Sequence, residues 1–515
     1  MRFVTGVRRI VLFAAVAASA AVLGARSAPP VVEVTLLATT DFHGALSGGG
    51  RERGSGRPWG GATALAQLVR QERARRPDRT FLLDAGDMMQ GTPESNFFWG
   101  RSAIAVLNAL GTDAGALGNH EFDWGIDTLR ARGRDMHYPL LAANVFEKST
   151  GRAPEWLRPY TIVVRDGLRL GIIGFATPET PRVTLPTQVE SLRFEAPEPL
   201  LADLVRELRR RDADLVVVLA HIGGTQGADG SIAGPIADLA RAARRAGADA
   251  VIGGHHHTFI AGTVDGIPVV EAGSSGRALG RIVLRWDGER VRGADVDLRR
   301  AFGDSLDVPA WDPIAALVDS MRDEVRPIVS RVLGQAARPL GRAALANLVT
   351  DAMRTAVHAD VAITNPGGLR RNLEAGPITV GDVFELMPFE NALVTVRLRG
   401  AALVAVVASR PEKVLVSGLR GRWDPERPEA ERLVLEHADG GSVRADSTYL
   451  VVTNNFLAFG GDGFVGFEDG AEFTVTPMLV RDAIEGAIEA ATRAGRPVDP
   501  DPEPRFVTRN PERSD

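Results

Sequence analysis

Five short segments in the first half of the chain gather residues that can bind cations or move protons. They are Asp41-Phe42-His43-Gly44, Asp84-Ala85-Gly86-Asp87, Gly118-Asn119-His120-Glu121-Phe122-Asp123, Ala220-His221 and Gly254-His255-His256-His257. The chain has 9 His, and His43, His120, His221, His255 and His257 all fall in these segments, a clustering that a purely structural account does not predict. Asp41 and His43 are two positions apart, as are His255 and His257. In extended backbone such pairs point to the same side. Each pair can therefore present two ligands to one place, with His256 aimed elsewhere. Imidazole, carboxylate and amide oxygen suit several divalent ions, Zn²⁺ and Mn²⁺ among them. One reaction that calls for this donor set is hydrolysis of a phosphate ester. It needs charge neutralised on the phosphoryl oxygens and a hydroxide at neutral pH, and two divalent ions roughly 3.5–4 Å apart supply both. A carboxylate can bridge such ions, and Asp84 is the natural candidate, while Asn119 is a neutral ligand that keeps the site electrophilic. His120, with Asp123 as a carboxylate partner, can bind phosphoryl oxygens or protonate a leaving group when cationic. Glu121 reads as a support for its neighbours rather than as a ligand.

Such chemistry needs elements that bring distant segments together. From Val31 to about Leu298, short apolar runs alternate with helical patterns. Val32–Thr39, Thr80–Leu83, Leu168–Phe175, Leu215–Ala220 and Ala248–Gly253 read as buried strands. Ala62–Arg75, Ser102–Leu110, Leu200–Arg211 and Pro235–Ala246 read as helices. This alternation predicts a layered α/β domain. All the chemical segments except the one around Asn119 lie at or just after a predicted strand end, where ligand sites form in open α/β sheets. Asp312–Leu333 is amphipathic and predicts a helix joining two halves. A second domain opens near Leu340 with a helix over Ala343–Val357 and continues with strand-like segments such as Leu393–Arg399 and Tyr449–Thr453. The tail after Arg496 is rich in Pro, Asp and Arg and is expected to be loose.

Whole-chain properties bound the function. A length of 515 residues exceeds what one core organises, so two or more domains are expected. A net charge of −5 gives no reason to expect a polyanionic partner such as duplex DNA. With 0 Cys, disulfides, thiolate zinc sites, Cys nucleophiles and lipidated-Cys anchors are excluded. Lys148 and Lys413 are the only lysines, so Arg is the default cation and a single Arg says little by itself. At the N-terminus, Arg2, Arg8 and Arg9 precede the apolar run Ile10–Leu23, and small residues at Gly24–Ala28 suit a cleavage site. This predicts an export signal over residues 1–28, too short to be a good membrane span, and a periplasmic or extracellular destination. Arg8-Arg9 leaves both the twin-arginine and the general secretory route open.

The second half adds motifs of its own. They are Asn347-Leu348-Val349-Thr350-Asp351-Ala352-Met353-Arg354, Asn365-Pro366-Gly367-Gly368-Leu369-Arg370, Met387-Pro388-Phe389-Glu390-Asn391, Val416-Ser417-Gly418-Leu419 and Asn455-Phe456-Leu457-Ala458-Phe459-Gly460-Gly461-Asp462-Gly463-Phe464. The Gly367-Gly368 turn lets backbone and Arg370 approach a ligand closely, and Arg370 offers a fork for phosphate oxygens. Phe456 can stack on a base, and Asp462 can accept hydrogen bonds from ribose hydroxyls.

From about Val34 to Phe467 the ordered set resembles the 5′-nucleotidase / UDP-sugar hydrolase family, a calcineurin-like metallophosphoesterase domain followed by a 5′-nucleotidase C-terminal domain. The resemblance implies a four-layer α/β/β/α domain over residues 31–300, a linker region over 301–338, a smaller α+β substrate-binding domain over 339–490 and a tail over 491–515. It implies one metal held by Asp41, His43, Asp84 and His257, and a second held by Asp84, Asn119, His221 and His255. It implies His120, paired with Asp123, as catalytic, and Arg370, Asn391, Phe456 and Asp462 as substrate-binding. The implied activity is that of an exported enzyme with two divalent ions, Zn, Mn or similar, that hydrolyses nucleoside 5′-phosphates. One departure stands out. The family's second base-clamping aromatic and a polar amide fall at Lys413 and Leu415 here, and Pro366 replaces the usual Gly. Lys413 is a group that can meet an extra phosphate or a sugar, so a UDP-sugar, a 2′,3′-cyclic nucleotide or a sulfur compound is an alternative substrate. A binding protein on an inactive scaffold would lack a ligand, and the expected set is complete.

Overall fold

The computed structural model describes residues 31–52, 54–305 and 312–509. The export signal expected over residues 1–28 lies outside them. The first half is built on two six-stranded sheets. One runs in the order Val291–Arg300, Ala278–Trp286, Val32–Thr39, Thr80–Asp84, Ala114–Ala116, Leu140–Leu141. The other runs Phe259–Val264, Ile267–Ala272, Ala250–Ile252, Leu215–Ala220, Leu168–Phe175, Tyr160–Arg165.

Why these runs are continuously apolar follows from their place between two covered faces. In Leu215–Ala220, Leu215, Val217 and Leu219 pack with Leu36, Leu83 and Ile282 of the opposite sheet. Val216, Val218 and Ala220 point the other way, among Val205 and Leu208 of the helix Glu198–Arg210 and Ile236 and Leu239 of Pro235–Ala246. The first sheet is covered in turn by the helices Gly61–Arg75 and Arg101–Leu110. The result is the expected order of four layers, helix, sheet, sheet, helix. The strands Val32–Thr39, Leu168–Phe175 and Leu215–Ala220 have the bounds read from sequence. The three-residue strand Ala114–Ala116 is too short to stand out as a pattern, and it places the segment around Asn119 after a strand end like the others.

The helix Pro313–Val329 links the halves. Asp312 caps it by accepting from the backbone N–H of Ile314 and Ala315, and Ile314 and Val318 bury into the first half's core. The second half centres on a five-stranded sheet ordered Leu415–Ser417, Val361–Thr364, Thr448–Asn454, Ala392–Arg399, Ala471–Leu479. The helices Arg342–Ala356 and Val480–Arg493 cover one face of it and Gly400–Ser409 the other.

The tail differs from expectation. Phe506–Thr508 forms a strand parallel to Leu419–Trp423. Arg505 makes a two-pronged pair with Asp351, at 2.6 and 2.8 Å. The buried Asn347 amide donates to the carbonyls of Asp501 and Glu503. Its polar composition hid this, because backbone and charge hold the tail, with two isolated apolar contacts at Val498 and Phe506. A chain ending at Gly495 leaves Asn347 unpaired, at a cost of about 1–3 kcal/mol for a buried polar group. For a domain of this size ~1 kcal/mol corresponds to a shift of roughly 2–4 °C. The truncated chain is expected to melt several degrees below the full chain by circular dichroism. Equal midpoints would mean the tail contributes nothing.

Candidate metal centre and active site

The loops after Val32–Thr39 and Thr80–Asp84 are joined by backbone hydrogen bonds, from Asp41 N to Gly86 O and from His43 N to Asp87 O. This pairing forces unusual backbone. Asp41, His43, Asp87, His255 and His257 all have positive φ, between 48° and 82°. Gly86 has φ 93°, and a Cβ there would lie 2.8 Å from Gly118 N, so only glycine fits.

Two ligand clusters result. Asp41, His43 and His257 form one; Asp87, His221 and His255 form the other. In the first, His43 Nδ1 donates to Gln90 O at 2.7 Å, which leaves its Nε2 bare and 3.0 Å from His257 Nε2. Burial holds the His43 pKa down to about 3, so the ring is a neutral donor. Burial also lowers His257 and His255. In the second cluster, His221 Nδ1 donates to Ala85 O at 2.8 Å. Its Nε2 lies 3.1 Å from Asn119 Oδ1 and 3.1 Å from Asp87 Oδ2. Burial disfavours charge on His221, yet Asp87 and Asp41 outweigh it and lift its pKa to about 10. The carboxylates demand a cation at that point, and a divalent ion satisfies the demand as well as a proton does. The donor set of imidazoles, carboxylates and one amide oxygen fits Zn²⁺ or Mn²⁺.

Asp84 does not belong to either cluster, contrary to the sequence reading. Its carboxylate accepts from Thr39 Oγ1 at 2.6 Å, on the neighbouring strand, and from Gly86 N at 2.9 Å. Asp87 stands between the clusters instead. Its Oδ2 is 3.1 Å from His221 Nε2 and 3.8 Å from His43 Nε2. Its Oδ1 accepts from His120 N. The strand-end rule pointed to Asp84, but the left-handed residues Gly86 and Asp87 carry the chain over the sheet edge. The signal available in the sequence was the glycine before Asp87. Glu121 holds this turn by accepting from the N–H groups of Asp87, Met88 and Gly118.

His120 Nδ1 donates to Asp123 Oδ2 at 2.8 Å. Burial opposes its charge, but Asp123 and Asp87 outweigh burial and raise its pKa. The second half reaches this group directly. Arg370 Nη2 is 3.3 Å from His120 Nε2, and Phe389 stacks on the His120 ring at 5.7 Å. Pro388 O accepts from Gln90 Nε2 and Asn96 Nδ2 of the first half. A cavity of about 430 Å³ between the halves is lined by Asp87, Asn119, His120, Arg370, Asn391, Phe456 and Asp462, among others.

With this geometry in view, two regions of the chain match known sequence families. Residues 34–259 match the model of the calcineurin-like phosphoesterases, and residues 324–469 match that of the 5′-nucleotidase C-terminal domain. The chain thus carries a calcineurin-like phosphoesterase domain followed by a 5′-nucleotidase C-terminal domain. Endonuclease YhcR of Bacillus subtilis is 28% identical over 460 residues, covering 83% of this chain and 37% of that protein. Cell wall protein Lmo0130 of Listeria monocytogenes is 26% identical over 522 residues, covering 86% of this chain and 65% of that protein. The chain thus spans less than two thirds of the length of these two relatives. Among solved structures, the 5′-nucleotidase precursor of Thermus thermophilus superposes with a TM-score of 0.81 at 27% identity, covering 93% of this chain and 100% of that one.

The cavity wall also holds Asp87, Gln90, Asn365, Phe389 and Trp124, to which sequence reasoning gave no role. Lys413, noted in the sequence as a departure, donates to Asp462 Oδ1 at 2.7 Å, and Asn365 Nδ2 donates to Asp462 Oδ2 at 2.6 Å. Leu415 packs into the core of the second half. Replacing Asp87 by Asn removes the carboxylate that joins the His221 cluster and lies 3.8 Å from His43 of the other, whereas Asp84→Asn leaves both clusters intact. Metal analysis of the purified variants is expected to show a loss of bound ion for Asp87→Asn and wild-type content for Asp84→Asn. The reverse pattern would restore Asp84 as the shared ligand.

Proposed function

We propose that the chain hydrolyses phosphate esters with two divalent ions, and that its substrates are nucleoside 5′-phosphates. The observation that carries the reading is Asp87 Oδ2 lying between two buried ligand clusters while the His120–Asp123 pair and Arg370 face the same cavity. Asp41, His43 and His257 would hold one ion, Asn119, His221 and His255 the other, with Asp87 shared. Ions there supply Lewis acidity and a water that ionises near neutral pH. The protein's own groups do the rest. Arg370 binds the phosphoryl oxygens through its fork. His120, whose pKa Asp123 and Asp87 raise against burial, is placed to give a proton to the leaving oxygen. Phe389 and Phe456 wall the cavity against water. The leaving group is read by the second half, residues 339–490, at Asn391, Phe456 and Asp462. Function outside the cytoplasm is supported by the apolar run Ile10–Leu23 and by the name of the Listeria relative. No helix among the described residues is long and apolar enough to cross a membrane.

A second reading, an ester whose leaving group is not a nucleoside, is favoured by one observation. Both carboxylate oxygens of Asp462 are already engaged, by Lys413 and Asn365. A ribose must compete with those contacts.

His120→Ala is expected to lower turnover about 10²–10⁴-fold, the range for a lost proton-transfer group, with metal content unchanged. Parallel loss of ions and activity would make His120 a structural group or a ligand. Released phosphate across nucleoside monophosphates, UDP-sugars, cyclic nucleotides and sugar phosphates separates the two readings. For nucleotides, Phe456→Ala should cost about 1–3 kcal/mol, the value of one stacking face, and should spare p-nitrophenyl phosphate. No turnover of any nucleoside monophosphate would rule the nucleotide reading out.

A further inference from the structure

The segment from Thr177 to Gln188 touches three residues of the centre at once. Val183 O accepts from Asn119 Nδ2 at 3.4 Å, which turns Asn119 Oδ1 toward His221 Nε2. Thr184 Oγ1 donates to Asp123 Oδ1 at 3.3 Å, while the other oxygen of Asp123 accepts from His120 Nδ1. Glu179 Oε2 lies 3.5 Å from His255 Nε2. The segment is tied down by its threonines. Thr180 N and Oγ1 both donate to Thr177 O, and Thr177, Thr180 and Thr184 are buried. Glu179 itself is exposed, at 57% of its side chain, and so is not present to fill the core.

An imidazole that ligates a cation through one nitrogen is oriented by what its other nitrogen meets, commonly a carboxylate. His43 and His221 meet the carbonyls of Gln90 and Ala85 in this way. His255 meets Glu179. We propose that Glu179 is a positioning residue, which accepts a hydrogen bond from His255 Nε2 and so keeps the ring's lone pair on Nδ1 for the ion on the Asp87–His221 side. The inference rests on the metal-centre reading above. It also gives the Thr177–Gln188 segment a single role. One strap sets the orientation of an amide ligand, an imidazole ligand and the partner of the catalytic His.

The test uses the full chain stripped with a chelator and titrated with Co²⁺, followed by visible absorption and by competition with a chromophoric chelator. Wild type is expected to bind two ions. Glu179→Ala is expected to weaken one of them about 10–100-fold, the usual effect of losing such an outer partner, and to alter that ion's absorption band. Glu179→Gln still accepts the hydrogen bond and is expected to restore most of the affinity, and His256→Ala is expected to match wild type. Wild-type affinity for both ions in Glu179→Ala overturns the proposal, as does equal weakening of both. Glu179, His255 and His256 also bring ligand atoms within 4.8 Å of one another. A third equivalent bound by wild type and lost in both Glu179→Ala and His256→Ala would therefore make Glu179 a ligand of an outer ion instead. Wild type that binds fewer than two ions overturns the metal-centre reading along with this one.

Discussion

Two fully buried carboxylates, Asp41 and Asp87, sit at the meeting point of both sheets of the first half. Buried charge of one sign is costly unless something positive meets it. In this chain what surrounds it is mainly imidazole, and burial keeps His43, His255 and His257 from supplying charge themselves. His221 and His120, both raised in pKa by neighbouring carboxylates, are the rings that meet the charge, and a divalent ion held among the same donors would meet it too. The cost extends to the backbone. Five of the residues at the centre adopt left-handed φ, a conformation that costs a non-glycine residue about 1–3 kcal/mol. Such strain persists only where the surroundings over-determine it, and the four-layer packing does so.

The second half completes the site from the other side. Arg370 and Phe389 both address His120, and the Pro388 carbonyl is gripped by Gln90 and Asn96. Arg481 steadies the same loop, with its guanidinium over Phe384 and Nη1 donating to the carbonyls of Met387 and Phe389. The environment of His120 is thus shared between the halves though its chain segment is not. In the proposed reaction, phosphoryl chemistry belongs to the first half and choice of leaving group to the second.

That choice is where this chain departs most from its family's pattern. Lys413 is one of two lysines, and it lies against Asp462 instead of presenting a ring opposite Phe456. A carboxylate with both oxygens occupied is a poorer ribose acceptor than a free one. In the proposed reaction, a ribose that reaches Asp462 meets it alongside the Lys413 and Asn365 contacts.

Much of this was legible in the order of residues. Strands such as Leu215–Ala220 are apolar on both faces because both faces are covered, so periodicity and length sufficed to find them. The gathering of Asp41, His43, His221, His255 and His257 was legible because short-range spacing and the concentration of His are local properties. What tertiary structure alone decided is which of two nearby carboxylates enters the cavity. Asp84 and Asp87 carry the same side chain and lie only three positions apart, and the choice depends on backbone pairing with the loop at Asp41 and on the left-handed turn at Gly86. The same holds for the tail, fastened by Arg505 and Asn347 contacts made across more than 150 positions, and for Lys413, whose partner Asp462 is 49 positions away. Local sequence encodes the geometry of a turn or a face. Contacts between segments far apart in the chain exist only once the core has brought those segments together.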